Sequence, residues 1–199
     1  LLERTLPRYQ YSCSTYLIYL GLKKKIKGLE HHNLFFARDL DKNLQEIFQD
    51  HSVPEEPSFY VHVPTITDPS MAPEGKDIVY ILIPVANLER GDSAGTAHYR
   101  RLREYTFQKI DAVIGESLED AIEVEHEFLP ADYVSRYNVY HGATFGLEHT
   151  LTQSAFFRPS NVDNRLKGLY FAGCSTQPGE GLPPVIAGSK IVADLITKS

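Results

Sequence analysis

The sequence has few cysteines, no long apolar run and no basic face, and each shortage excludes a class of protein. Cys13 and Cys174 are its only cysteines and lie far apart, without CxxC or Cys–His spacing, so we predict no zinc or other metal site and no disulfide scaffold. No apolar stretch reaches the roughly 18 to 20 residues that span a bilayer, and residues 1–4 contain no signal-peptide core. Because the net charge is -6 and the one lysine cluster lies at residues 23–27, no nucleic-acid partner is expected.

The composition is typical of a folded globular chain. Of 199 residues, 42% are hydrophobic and 23% are charged, which is far from the composition of disordered chains. The chain begins at Leu1, and its only methionine is Met71. We therefore expect it to be part of a longer protein.

The first 129 residues predict an α+β fold of five strands and two helices, without a nucleotide-binding motif. The strand at residues 78–85 is continuously apolar, which favours a central position in the sheet. The strand at 9–20, ended by Gly21, is apolar on both faces, as in a sheet that is covered on both sides. The other predicted strands are 33–37, 59–63 and 121–129, and the predicted helices are 40–48, capped by Asp39, and 96–114, ended by Gly115.

Two of these elements carry charge. The strand at 121–129 alternates apolar residues and His126 with three glutamates, which predicts one buried side, and we interpret His126 as an ordinary member of that strand. The helix at 96–114 carries Arg100, Arg101 and Arg103, which we interpret as a solvated face rather than an anion site.

The last third of the chain predicts a strand at 169–173, a glycine-rich turn and a helix at 182–196. Proline suits the first turn of a helix, and such a unit presents unpaired N–H groups and the positive end of a helix dipole. Those groups can hold a phosphate or stabilise the charge of a reduced flavin ring. A plain turn between a strand and a helix fits the spacing equally well.

Several segments resemble those of the bacterial- and fungal-type phytoene desaturases, which are carotenoid desaturases of the FAD-dependent amine-oxidase-like superfamily. They occur in the order of that family and reach from about residue 11 to residue 196. The segments are SCSTYLIYLGL at 12–22, GATFGLE at 142–148, LTQSAFFRP at 151–159, GLYFAG at 168–173 and STQPGEGLP at 175–183.

The resemblance implies the C-terminal part of a two-domain flavoprotein. Residues 1–160 would end the substrate domain, with a mixed or antiparallel sheet and helices, and residues 161–199 would return to the FAD domain as its last strand and helix. The GxGxxG turn that holds the adenylate half of FAD is absent from this sequence. We therefore predict that this chain alone neither binds FAD tightly nor turns over, and that it needs the N-terminal FAD-binding segment as its partner.

The resemblance also assigns residues to the cofactor and to the substrate. Val185 and Ile186 would offer amides to the pyrimidine edge of the flavin, and Arg158 would position the turn before the last strand. The cofactor set is Gly173 and Cys174 near the ribityl chain, Gly179 and Gly181 in the turn, and Pro184, Val185 and Ile186 at the helix start. The predicted channel lining is Phe145, Leu147, Phe156 and Phe157, for which ordinary core is the alternative.

No catalytic residue is predicted. Glu148, His141 and His149 lie in the matching segments, but each is expected to be structural or exposed. The sequence departs from the family at Gln177, Glu180 and Pro184, and a carboxylate at position 180 would disfavour an anionic reduced flavin.

The implied reaction removes two hydrogens from a long polyene by transfer to flavin, in a cytoplasmic enzyme that contacts a membrane peripherally. A related polyene isomerase, a retinol saturase-like enzyme or another oxidase shares the fold and cofactor. A non-catalytic interaction module that has kept the flavoprotein fold is the alternative of a different class.

Overall fold

A computed structural model describes residues 6–91 and 95–198 of the chain. Residues 1–4, which contain no signal-peptide core, lie outside the described residues. Five strands form one antiparallel sheet in the order β2-β3-β4-β1-β5, as an α+β fold. The strands are β1 (Ser14–Leu22), β2 (His32–Phe35), β3 (Phe59–His62), β4 (Asp77–Val85) and β5 (Ile122–Phe128), and the helices are α1 (Leu40–Phe48), α2 (Gly95–Ile114), α3 (Pro130–Tyr137) and α4 (Leu182–Lys198).

The core lies between one face of the sheet and α2. The buried residues alternate along β4 and recur at helical spacing along α2, because a strand repeats every two residues and a helix every 3.6, whereas the first five residues of β1 are all buried. This confirms the predicted strands and the apolar face of the long helix, and β4 is central as predicted. The core includes Tyr16, Ile18 and Leu20 of β1, Val79, Ile81 and Ile83 of β4, and Tyr99, Leu102, Phe107 and Ile110 of α2.

The predicted bounds of β1 were wrong at both ends. Ser14 is the first residue of the strand, because Tyr11 pairs instead with Leu147 in an isolated bridge. Gly21 does not end the strand; it lies opposite Ile78 of β4, and pairing continues to Leu22.

The alternation in β5 is present, but the side expected to be buried was wrong. Val124 is 63% exposed, whereas Glu125 and Glu127 point to the face that carries α2. Arg103 of α2 donates two hydrogen bonds to Glu125 at 2.6 and 2.7 Å, and Tyr16 donates its hydroxyl to Glu127. Arg103 is therefore part of a structural ion pair and not of a solvated face.

The C-terminal third differs from its prediction in two places. Residues 169–173 form no strand; Tyr170 makes one isolated bridge to Val162, and among the described residues no strand lies beside this segment to pair with it. Helix α3 was not predicted, although Pro130 at its start and Asp132, which accepts the Leu129 amide at 2.8 Å, are ordinary start signals. Helix α4 confirms the predicted last helix.

Candidate functional site

Residues 139–181 form an irregular segment, the C-terminal layer, which packs over one end of the sheet. The Ser14 hydroxyl donates to the carbonyl of Gly142 at 2.6 Å, and the Ser12 amide donates to Gly146 at 2.9 Å. On the other face of β1, the Thr15 and Thr144 hydroxyls are 3.1 Å apart. These bonds fix the layer against the start of β1.

Arg158 holds the C-terminal layer together. It is only 2% exposed, and its guanidinium donates to four backbone carbonyls. Nε reaches Cys174 and Thr176 at 3.2 Å each, Nη1 reaches Gln153 at 3.2 Å, and Nη2 reaches Leu147 at 3.1 Å and also Cys174. Because every one of these acceptors is a backbone carbonyl, Arg158 is a structural residue that joins separate loops.

The glycine-rich turn before α4 is shaped by this arginine and by Asn161. The Asn161 amide donates to the carbonyls of Phe171 and Gln177 at 3.0 Å each. Gly179 has φ +134° and lies so close to His149 that a Cβ would be 2.8 Å from the imidazole Cε1. Only glycine fits this conformation and this contact, which is the role predicted for it.

The start of α4 is exposed but has fewer free amides than the sequence predicted. Val185 donates its N–H to the carbonyl of Gly181 at 3.0 Å, so the prediction of a free amide there was wrong. Pro183 and Pro184 have no N–H. Among the first four helical residues, Leu182 therefore has the one amide without a partner inside the helix, and it is 80% exposed.

Glu180 and His149 lie beside the turn. Glu180 Oε1 is 4.0 Å from His149 Nε2, and its Oε2 is buried without a hydrogen-bond partner among the described residues. Burial, and then the charge of Glu180, raise the pKa of Cys13 to about 11. A carboxylate with an unused buried oxygen is an acceptor for a hydroxyl or N–H group.

Comparison with known proteins assigns this sequence to a family. The sequence model of the family described as flavin containing amine oxidoreductase matches residues 27–196. This chain belongs to that family.

Two relatives of this chain are carotenoid desaturases. It is 42% identical over 188 residues to a zeta-carotene-forming phytoene desaturase of Myxococcus xanthus, covering 94% of the chain and 36% of that protein. It is 39% identical over 190 residues to a 4,4'-diapophytoene desaturase of Staphylococcus haemolyticus, covering 92% and 37%. The chain thus spans a little over a third of these relatives.

A solved structure shares the fold of this chain. An oxidoreductase from Methanosarcina mazei matches with a TM-score of 0.54 at 15% identity, over 96% of this chain and 36% of that one. At this identity the likeness shows the fold alone.

The residues predicted to line the substrate channel differ in their exposure to solvent. Phe145 is 37% exposed, and Phe156 and Phe157 are 90% and 70% exposed, so these rings are free to contact a ligand or another segment. Leu147 is buried at 3% exposure and bridges Tyr11, which favours the alternative of ordinary core. Their roles at a substrate stay predictions.

The other predicted residues lie at the turn or near a polar cleft. Gly181 directly precedes α4 and Ile186 lies near its start, whereas Gly173 and Cys174 are half-buried and the Cys174 carbonyl accepts from Arg158. Glu148 lines a cleft of about 480 Å³ together with Tyr11 and Cys13. The ring of His141 packs on Tyr11 and Tyr140, which is a structural setting.

Sequence reasoning missed the face of the sheet that is turned away from α2, here called the open face. Strand pairing places two continuous rows of side chains across all five strands. The apolar row is Leu34, Tyr60, Leu82, Leu17 and Phe128, of which Leu17 and Phe128 are buried at 7% and 8% exposure, and the aromatic row is His32, His62, Tyr80, Tyr19 and His126. The sequence signal for this face was the run of β1 that is apolar on both faces. The rows can be recognised only when the register of the strands is known.

The open face leads to the C-terminal layer. Thr15 and Pro84 lie two residues beyond the apolar row, and two residues of a strand span about 7 Å. Thr15 contacts Thr144 at 3.1 Å and the Tyr133 hydroxyl at 2.6 Å. Thr15 therefore links the open face to Thr144 of the C-terminal layer and to α3.

We expect Cys13 to be an unreactive thiol. With a pKa of about 11, roughly one thiol in a thousand is ionised at pH about 8, and only the thiolate is a nucleophile. In a Cys174→Ser variant, alkylation by iodoacetamide should be about 100-fold slower in the folded protein than in urea. The Cys13→Ser variant is the matched control, and fast alkylation of Cys13 in the folded state would contradict the expectation.

Proposed function

We propose that this chain is part of an FAD-dependent oxidoreductase that desaturates a long polyene of the phytoene type. The observation that carries the proposal is the apolar row of the open face, which lies two residues from Thr15, where β1 contacts Thr144 of the C-terminal layer. The relatives, a phytoene desaturase and a diapophytoene desaturase, act on the same substrate class. A polyene has no polar group to recognise, so an extended apolar surface is the binding site that it requires.

The open face suits an uncharged ligand. Leu82 lies between Tyr60 and Leu17, and the rings of Tyr19 and Tyr80 are 5.2 Å apart in the next row. Burial raises the pKa of Tyr19 and of Tyr80, so both phenols stay protonated at neutral pH. In our proposal Tyr60, Leu82, Tyr19 and Tyr80, which are exposed or half-buried, contact the polyene, and Phe145, Phe156 and Phe157 extend the same surface.

The residues at the turn fit the edge of a flavin. Leu182, which is 80% exposed, supplies an amide without a partner inside the helix, and Gly181, with φ +98°, directly precedes it. Glu180 has a buried oxygen that lacks a donor among the described residues, and the ribityl hydroxyls of FAD are donors of that kind. Cys174, Gly173, Gly179, Pro184, Val185 and Ile186 form the surroundings of this contact in the proposal.

FAD supplies a hydride acceptor when it is bound. Loss of a hydride from one carbon and of a proton from its neighbour leaves a new double bond. The part of this chain is to hold the polyene flat on the open face and to keep water away from the reacting carbons. No side chain of the described residues is assigned to take the proton.

We also propose the division after residue 160, with residues 161–199 belonging to the FAD domain. Arg158 joins the two parts through hydrogen bonds to the carbonyls of Cys174 and Thr176. These contacts would place the open face of the substrate part directly beside the cofactor part.

Peripheral contact with a membrane is a further part of the proposal, since polyenes dissolve in lipid. Within the described residues, no helix is both long and apolar enough to cross a bilayer. Leu151, Phe156 and Leu182 are exposed by 93%, 90% and 80%, and apolar side chains of this kind can enter a membrane surface.

The test uses the protein as its gene encodes it, produced in a bacterium that accumulates phytoene. We expect coloured products that are lighter by pairs of hydrogens, measured by absorbance and mass spectrometry. A product of unchanged mass would instead identify a polyene isomerase. Bound flavin without any change in the polyene, or no flavin at all, would contradict the proposal and favour an interaction module.

A further inference from the structure

Three histidines meet at the edge of the sheet that β2 and β3 form. His32 opens β2 and pairs with His62, which closes β3, and His31 directly precedes β2. One ring nitrogen from each histidine lies within 4.8 Å of those of the other two. In the part of the chain that the structure describes, this is the one such group of histidines, cysteines or acidic residues.

Hydroxyl groups orient two of the rings. His31 Nδ1 is 2.6 Å from the Thr67 hydroxyl, and His32 Nδ1 is 2.6 Å from the Tyr60 hydroxyl. Each of these two rings therefore has Nε2 left for another partner. Metal-binding histidines have this arrangement, in which the second ring nitrogen is held by a neighbouring polar group.

The spacing of the nitrogens fits a tetrahedral ion. His31 Nε2 and His62 Nε2 are 2.9 Å apart, a contact that needs one proton between two basic nitrogens. Zinc binds imidazole at about 2.0–2.1 Å, which places two tetrahedral ligands about 3.3 Å apart. Because the rings are exposed or half-buried, small rotations would widen the observed contact to the spacing of two zinc ligands.

We propose that His31, His32 and His62 bind a divalent transition metal ion of the zinc type, with the fourth position open to water. Neutral imidazoles suit zinc, copper and nickel, whereas magnesium and calcium require oxygen ligands, which this cluster lacks. The proposed site is independent of the flavin: His62 lies opposite Tyr80, five residues from Val85 along β4, or about 17 Å from the end that the C-terminal layer covers.

This proposal departs from the prediction of no metal, which rested on the cysteines. His31 and His62 are far apart in sequence, and their spacing matches no short metal-binding motif. Only the pairing of β2 with β3 brings them together. The ion would join β2 to β3 at the end of the sheet edge where His32 and His62 pair.

The test is titration of the metal-free protein with zinc chloride, followed by calorimetry, and with cobalt chloride, followed by visible absorption. We expect one ion per chain and a tetrahedral cobalt spectrum. His32→Gln removes an exposed ligand and should weaken binding by more than about 100-fold, because loss of an outer hydrogen-bond partner alone costs about 10- to 100-fold. Thr67→Val should weaken it by about 10-fold.

His126→Gln is the matched control, since His126 is an exposed histidine at the opposite end of the same row. It should leave zinc affinity unchanged. Zinc should also raise the unfolding temperature of the wild type and of His126→Gln, but not that of His32→Gln. The absence of binding in the wild type, equal effects of the two glutamine variants, or binding that disappears on alkylation of the cysteines would each overturn the proposal.

Discussion

Replacement of Arg158 by methionine should lower the free energy of unfolding by about 4 kcal/mol. Methionine fills much of the space but donates no hydrogen bond. The carbonyls of Leu147, Gln153, Cys174 and Thr176 would then lose the guanidinium while remaining buried from water. Each orphaned buried acceptor costs about 1–3 kcal/mol, and local relaxation recovers part of the sum. Urea denaturation of the purified chain measures the loss.

Arg165→Met is the matched control for this prediction. Arg165 lies in the same layer, its side chain is 65% exposed, and its partner is Asp163 at 2.8 Å. An exposed ion pair contributes about 0–1 kcal/mol, so this variant should remain close to the wild type. Arg158→Lys should fall between the two, because an ammonium has three donors but not the planar fork. Equal losses for Arg158→Met and Arg165→Met would show that the carbonyl network does not stabilise the layer.

The strands and the long helix could be predicted because their signals are local. The continuous apolar run of β4 and the helical spacing along α2 are set by residues close in sequence, and burial of apolar surface is the main favourable term in folding. The turn at Gly179 was also predictable, since its conformation restricts the residue type. The bounds of β1 were not, because Tyr11 leaves the strand to pair with Leu147, far along the chain.

The parts that could not be predicted depend on partners that are distant in sequence. The glutamates of β5 face the helix because Arg103 lies opposite Glu125, which no pattern within β5 reveals. Arg158 reads as one charged residue before a proline, yet its acceptors come from separate segments of the C-terminal layer. The rows of the open face likewise require the register of all five strands. Sequence therefore predicted the elements and the position of the turn, but not the surface that a substrate would contact.

Introduction of a charge at Leu82 should abolish most of the proposed activity in the gene-encoded protein. Leu82 is half-buried in the centre of the apolar row, between Tyr60 and Leu17. A carboxylate at this point must lose water when a polyene covers it, without gaining a hydrogen bond. Such burial costs at least about 3 kcal/mol, and each 1.36 kcal/mol corresponds to a tenfold change in rate. We therefore expect Leu82→Asp to lower kcat/KM for phytoene about 100-fold, measured by product absorbance in liposomes.

Two further variants separate a loss of binding surface from a loss of folding. Leu82→Met keeps an apolar side chain of similar volume, so it should retain activity within a few-fold of the wild type. Leu166→Asp places the same charge at a leucine that is 59% exposed and outside the sheet, and it should leave kcat/KM unchanged. Unfolding measurements on Leu82→Asp establish that the protein assayed is folded. If folded Leu82→Asp desaturates phytoene as fast as Leu166→Asp, the polyene does not lie on the open face, because an apolar ligand cannot cover an unpaired carboxylate without a penalty in free energy.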